Sequence, residues 1–170
     1  MTSNIPREEG SDLSAAIEAA EHYARSTGVG CRVIDPEGYI LRRGNAGPQP
    51  TDTEHSAEKG MCGICGLVYG GERSGEFCRN HRLHGALQSE RFGGIYFYFC
   101  AASLLHWASP IMYEGSMIAA CIAGPVLPYE NAEVEYELRK RMERKSCFPE
   151  EGFEALVQRV PKVTMDRAHS

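Results

Sequence analysis

Two short motifs carry the densest chemistry in this sequence. Cys62-Gly-Ile-Cys65 is followed, after twelve residues, by Cys78-Arg-Asn-His81. Two-residue gaps let a pair of thiolates, or a thiolate and an imidazole, converge on one tetrahedral ion, and this spacing is the grammar of a zinc site. Cys78 and His81 stand three apart in a segment with helical character, so they share a face. Cys100 ends a strand-like run and is a fifth candidate. Four ligands suffice, so Cys62, Cys65, Cys78 and His81 make one set, and recruiting Cys100 in place of one of them makes another. An iron–sulfur cluster on the four thiols, acting as a redox sensor, is the alternative, less suited because Cys100 is so distant in sequence. Chance clustering of buried cysteines is the bland explanation. Of the seven cysteines, Cys31, Cys121 and Cys147 lie in or beside apolar segments and read as small core hydrophobes.

A second group is aromatic. In Ile95-Tyr-Phe-Tyr-Phe-Cys100 the alternation puts Tyr96, Tyr98 and Cys100 on one side and Ile95, Phe97 and Phe99 on the other. If helices cover one face, the other can line a small-molecule pocket with tyrosyl hydroxyls as polar handles, joined by His106, Trp107 and Tyr113 from the next strand. A ligand-free aromatic core is the alternative. Other chemistries find little support. The Gly70 to Gly75 stretch lacks the lysine and preceding strand of a phosphate loop. No nucleophile elbow or paired-carboxylate motif occurs. A thiol enzyme would need a cysteine paired with His81, His84 or His106, and nothing singles out a pair.

The elements that must position these groups follow from periodicity and punctuation. Residues 1–10 read as a disordered leader. Leu13, Ala16, Ile17, Ala20, Tyr23 and Ala24 recur at helical spacing, with Ser11 to cap the start and Gly28 to end it. Cys31–Ile34 and Tyr39–Arg42 flank Asp35-Pro-Glu-Gly38 and predict a β-hairpin. The glycine-rich stretch from Gly44 to Gly75 is a long connection of the kind that is usually functional or disordered. A helix is expected from about Glu76 to Phe92, and then a central strand to Cys100. A strand from Leu104 to Met112 follows, with Pro110 marking an edge or bulge. After a turn at Glu114-Gly115 comes a strand from Ser116 to Ala123, closed by Gly124-Pro125. Asn131 and Pro149 open two C-terminal helices. The order implies an α+β fold: an antiparallel sheet of about five strands flanked by helices, with a cysteine-bearing insertion, as in PAS- or GAF-like sensor domains.

Composition narrows the function. The 170 residues allow one ordinary domain, and 42% hydrophobic with 24% charged residues is a globular balance. A formal charge of −5 argues against a nucleic-acid grip. The basic run Arg139-Lys-Arg141 with Arg144-Lys145 is interleaved with Glu137 and Glu143, as on a solvated helix face. No apolar run nears the ~20 residues that span a bilayer, and the polar start is unlike a signal peptide. A cytoplasmic protein without membrane association is expected. Its reducing compartment disfavours disulfides.

The stretch Tyr98-Phe-Cys100-Ala-Ala-Ser-Leu104-Leu-His-Trp-Ala-Ser-Pro110-Ile111, then Glu114-Gly115, then Ala123-Gly-Pro-Val126, resembles the PocR sensory domain. Cys65-Gly-Leu-Val and Cys78 are similar to that family's first two cysteine segments. The resemblance spans residues 12 to 163 and implies a single PAS-like domain, taken as residues 11–163, that senses a small organic molecule. It implies an output domain, DNA-binding or kinase, in a parent regulator of transcription or signal transduction. The polar tail 164–170 would lead there. The resemblance joins Cys65, Cys78 and Cys100 in one cluster and gives Cys62 no clear counterpart. The expectation is one zinc ion on these three thiols, with His81 or Cys62 as the fourth ligand. Two positions depart from the family: Ala101-Ala-Ser-Leu104 replaces its His-Ala-Gly-Leu, and Pro125 its Gln. Both lie where a ligand contact is implied. A non-enzymatic sensor is therefore the leading expectation, with the thiol enzyme and a zinc-dependent nucleic-acid module as alternatives. Homodimerisation through the apolar stripes of the terminal helices is a further expectation.

Overall fold

The computed structural model describes residues 10–42, 71–100, 102–128, 136, 140, 155, 157–158 and 160–163. Helix α1 spans Gly10–Thr27 and strand β1 Cys31–Ile34. Helix α2 spans Gly71–Phe92, and strands β2 (Tyr96–Phe99), β3 (Leu105–Tyr113) and β4 (Ser116–Pro128) follow. Strand β5 is Lys162–Val163. The sheet order is β1-β4-β3-β2, antiparallel throughout, with β5 added parallel to the end of β4. This is the expected α+β architecture. The leader, the glycine-rich connection with Cys62 and Cys65, and most of the two C-terminal helices lie outside the described residues. So do Cys147 and the tail.

Helix α1 forms because its apolar residues fall on one stripe. Ile17 and Ala20 bury against Cys31, Val33, Ala119 and Ala123, with Leu13, Ala16 and Ala24 alongside. It begins at Gly10, so Ser11 sits inside the first turn. Gly28 ends it with a left-handed φ of +73°, its amide donating to the Ala24 carbonyl at 3.0 Å. The hairpin turn is also as expected. An Asp35 carboxylate oxygen accepts from the amides of Glu37 and Tyr39, at 3.0 and 2.8 Å. Its second arm is reduced to isolated bridges, at Ile40, which pairs with Ile34, and at Arg42.

Three sequence expectations are corrected. Helix α2 starts at Gly71, because internal glycine weakens a helix by only ~1 kcal/mol and packing overrides it. Among the described strands β2 lies at the edge of the sheet despite its continuous apolar run, and Phe99 stands 53% exposed. Strand β4 runs through Gly124-Pro125 to Pro128 instead of stopping there. The sheet is flanked by helices as expected: α1 packs beneath β1 and β4, and α2 lies over the face carrying Ile34, Tyr98, Ala108, Ala120 and Ile122. Pro110 fits as expected. It pairs with Ala120, while β2 pairing ends at Ala108, so its missing N–H faces no strand.

Candidate functional site

The α2 face of the sheet carries a row of nearly parallel rings. Phe92 stacks on Tyr96 with centroids 5.7 Å apart, Tyr96 on Tyr98 at 6.5 Å, and Tyr98 on His106 at 5.4 Å. The interplanar angles are 13°, 12° and 17°. Strand register builds the row: Tyr98 pairs with His106 across β2 and β3, and Tyr96 and Tyr98 share a face by alternation. His84 meets Tyr96 edge-on from α2.

Two glycines clamp the inner end of this row. A Cβ on Gly85 of α2 would lie 2.3 Å from Tyr98 Cε1, so only glycine lets the tyrosine ring lie against the helix. A Cβ on Gly124 of β4 would lie 2.7 Å from His106 Nδ1. Gly124 has φ +118°, and its amide donates to the Gly30 carbonyl at 2.8 Å. Leu105 pairs with Val126 and Trp107 with Ala123, so the single residue His106 faces two residues, Gly124 and Pro125. That mismatch is a β-bulge, a device that re-aims side chains near functional sites.

His106 is the chemically exposed member of this buried set. Its side chain is 4% exposed, and among the described residues neither ring nitrogen has a hydrogen-bond partner. Ser89, the other buried polar residue described, satisfies its hydroxyl on the Ala86 carbonyl at 2.7 Å. A neutral imidazole carries one donor and one acceptor, and leaving both unmade costs a few kcal/mol. A group that satisfies them from outside the chain would recover that cost.

Of the five expected ligand contacts, Tyr96, Tyr98 and His106 come together here. Trp107 points to the opposite face, against Phe97 at 5.9 Å and the cluster under α1. Tyr113 lies at the far end of β3, beside the turn where Glu114 and Gly115 both have positive φ, and is largely exposed. Gly85 was legible as a glycine inside a helical pattern, a mark of close packing. The Gly124-Pro125 bulge carried no signal separate from a strand end.

The expected metal ligands are only partly described. Cys78 and His81 lie on α2 and Cys100 directly after β2. The His81 Nδ1 stands 2.8 Å from the Phe77 carbonyl, so Nδ1 carries a proton, and in the neutral ring Nε2 is the nitrogen with a lone pair to offer an ion. Among the described residues no three His, Cys, Asp or Glu side chains are grouped to hold an ion. Cys31 and Cys121 are core thiols. Burial is the main cause that pushes Cys31 up to about 11, with Cys121 nearby adding to it, and burial also raises Cys121.

Of the segment expected to touch a ligand, Ala101 to Leu104, residues 102–104 are described, and they form a tight turn. The Cys100 amide donates to the Leu104 carbonyl at 2.9 Å and the Ser103 amide to the Cys100 carbonyl at 2.8 Å. Ser103 has φ +58°, and Ala102 and Leu104 are fully buried. This turn delivers the chain from Cys100 to His106. The model of the sensory domain found in PocR matches residues 11–170. The chain belongs to the PocR sensory domain family. The described parts of both departures noted in the sequence, residues 102–104 and Pro125, flank His106 in this PocR domain. No curated protein and no solved structure shows significant similarity to the chain. No described helix is long and apolar enough to cross a membrane.

Proposed function

We propose that this PocR domain senses a small organic ligand that reaches His106, with Tyr98 stacked behind the imidazole and the Gly124-Pro125 bulge beside it. The observation that carries the reading is the pair of buried His106 ring nitrogens without partners among the described residues. The stack holds the ring plane, so a ligand offering a donor and an acceptor meets a preset geometry. The role in this reading is sensing. A thiol nucleophile needs a depressed pKa, so Cys31 and Cys121, which burial moves the other way, do not suit that task. Native mass spectrometry of the chain against a mixture of small metabolites tests the reading. A bound mass on the wild type that His106→Ala weakens about tenfold or more is expected. Equal binding by the two proteins would refute it.

The metal belongs to the same proposal. Zinc held by Cys65, Cys78 and Cys100, with His81 or Cys62 as fourth ligand, would fasten the glycine-rich connection to α2 and to the end of β2. The His81 tautomer supports this set, and tetrahedral thiolate-rich sites suit zinc. Elemental analysis of purified protein should give one zinc per chain. Substoichiometric zinc and iron, with all seven thiols titrating, would remove the metal from the proposal. A DNA-binding or kinase output domain in the parent protein, homodimerisation and a cytoplasmic location complete the proposed setting. Size-exclusion chromatography with light scattering tests the dimer.

A further inference from the structure

The path from His106 to the C-terminal strand is short and made of backbone. Gly124 touches the His106 ring, and Val126 pairs with Leu105 just beyond the bulge. One residue further, the Leu127 amide donates to the Pro161 carbonyl at 2.9 Å, and Leu127 and Pro128 pair with Lys162 and Val163. Val163 also packs on the cluster of Val29, Leu105 and Val126. Strands β1 and β5 occupy one edge of β4 in succession: β1 holds Ala120 to Ala123, the Gly30 carbonyl holds the Gly124 amide, and β5 begins at Leu127. The bulge is the joint between these two partners.

We propose that this bulge couples the His106 site to the docking of β5, so that occupancy of the site is read at the C-terminal strand. The proposal rests on His106 as the ligand contact and adds the route by which contact becomes signal. The described contacts of β5 with β4 are two residue pairs and the bond between Leu127 and Pro161. Pairing at the margin of a sheet opens at lower free-energy cost than pairing at its centre, which is the property a readout element needs. A shift of the His106 ring cannot be absorbed by Gly124, because the ring already lies against its backbone. It must move the bulge, and the bulge sets the direction of the Leu127 N–H. Coupling of this kind is reciprocal, so displacing β5 must alter the His106 environment.

Amide exchange by NMR on the full chain without ligand tests the coupling separately from the ligand. In His106→Ala, or His106→Gln if the first variant fails to fold, the Leu127 amide should exchange about tenfold faster or more. Two controls should stay within about twofold: the Leu41 amide, bonded to the Val33 carbonyl, and the Met117 amide, bonded to Glu90. In the reverse direction, Val163→Asp should drive β5 off its cluster and shift the His106 ring resonances, while those of His22 on α1 stay in place. An unchanged Leu127 amide, a uniform rise at all three amides, or a response in one direction only would overturn the coupling. The ligand reading stands or falls on metabolite binding alone, so either can fail without the other.

Discussion

The two faces of one sheet are built to different rules. Beneath β1 and β4, helix α1 meets Cys31, Val33, Ala119 and Ala123, an aliphatic and thiol surface with no buried polar side chain among its described members. Over the α2 face, β2, β3 and β4 together with α2 carry a ring stack, two glycine contacts and an imidazole without a hydrogen-bond partner among the described residues. The first face supplies stability that the second face partly gives up. That division is expected where a functional site sits inside a small domain, because strain and unsatisfied polarity persist only if the rest of the fold over-determines them.

The contrast breaks first on the α1 side. Ile17→Ala should cost about 3 kcal/mol in urea unfolding, as for other buried isoleucines, and leave the His106 ring resonances unmoved. A loss below 1 kcal/mol would mean that α1 is not the stability face. Gly85→Ala comes next, on the α2 side. The overlap with Tyr98 should cost about 3 kcal/mol, of which alanine's helix preference returns about 1, for a net loss of about 2. Near-UV circular dichroism should change with it as the ring row is disturbed, and a neutral substitution would show that the stack is loose.

A pH series sharpens the same comparison. The Cys31 thiol ionises at about 11 in the folded chain, above its ordinary value of 9.0. A raised pKa gives stability that is whole below pH 9 and is lost as pH climbs to 11, because only the unfolded chain can ionise there. Between pH 8 and 11 the wild type should lose between about 1 and 2 kcal/mol more than Cys31→Ala. Parallel pH curves for the two proteins would contradict this. The smallest effect has the opposite sign. His106→Leu replaces an unpartnered buried imidazole by an apolar side chain and should raise stability by about 1 kcal/mol while abolishing ligand capture. A loss of more than 1 kcal/mol would show that His106 makes bonds that hold the fold.

The apolar run from Ile95 to Phe99 read as a central strand because every residue is hydrophobic. Its place at the edge depends on which strands pair, and local pattern does not encode that. Trp107 read as a neighbour of His106, yet adjacent strand residues point to opposite faces, and the bulge opposite His106 keeps them so. The expected closure at Gly124-Pro125 was half legible: the residues marked a break in regular pairing, and β4 continues past it into pairing with β5.

Local chemistry along the chain determined a good deal. Helical spacing specified α1 and most of α2, the Asp35–Gly38 and Glu114-Gly115 turns specified the hairpins, and alternation put Tyr96 and Tyr98 on one face. These are short-range matters of side-chain period and backbone preference, settled within a few residues. The ordered motifs were enough to indicate the family. The tertiary structure alone decided that His106 stacks on Tyr98, that Gly85 and Gly124 press on the two rings, and that β5 docks beside the bulge. Each of those joins residues from separate elements, and their meeting depends on strand order, register and helix placement. Those depend in turn on the packing of the whole core, to which every residue contributes and which no short stretch determines.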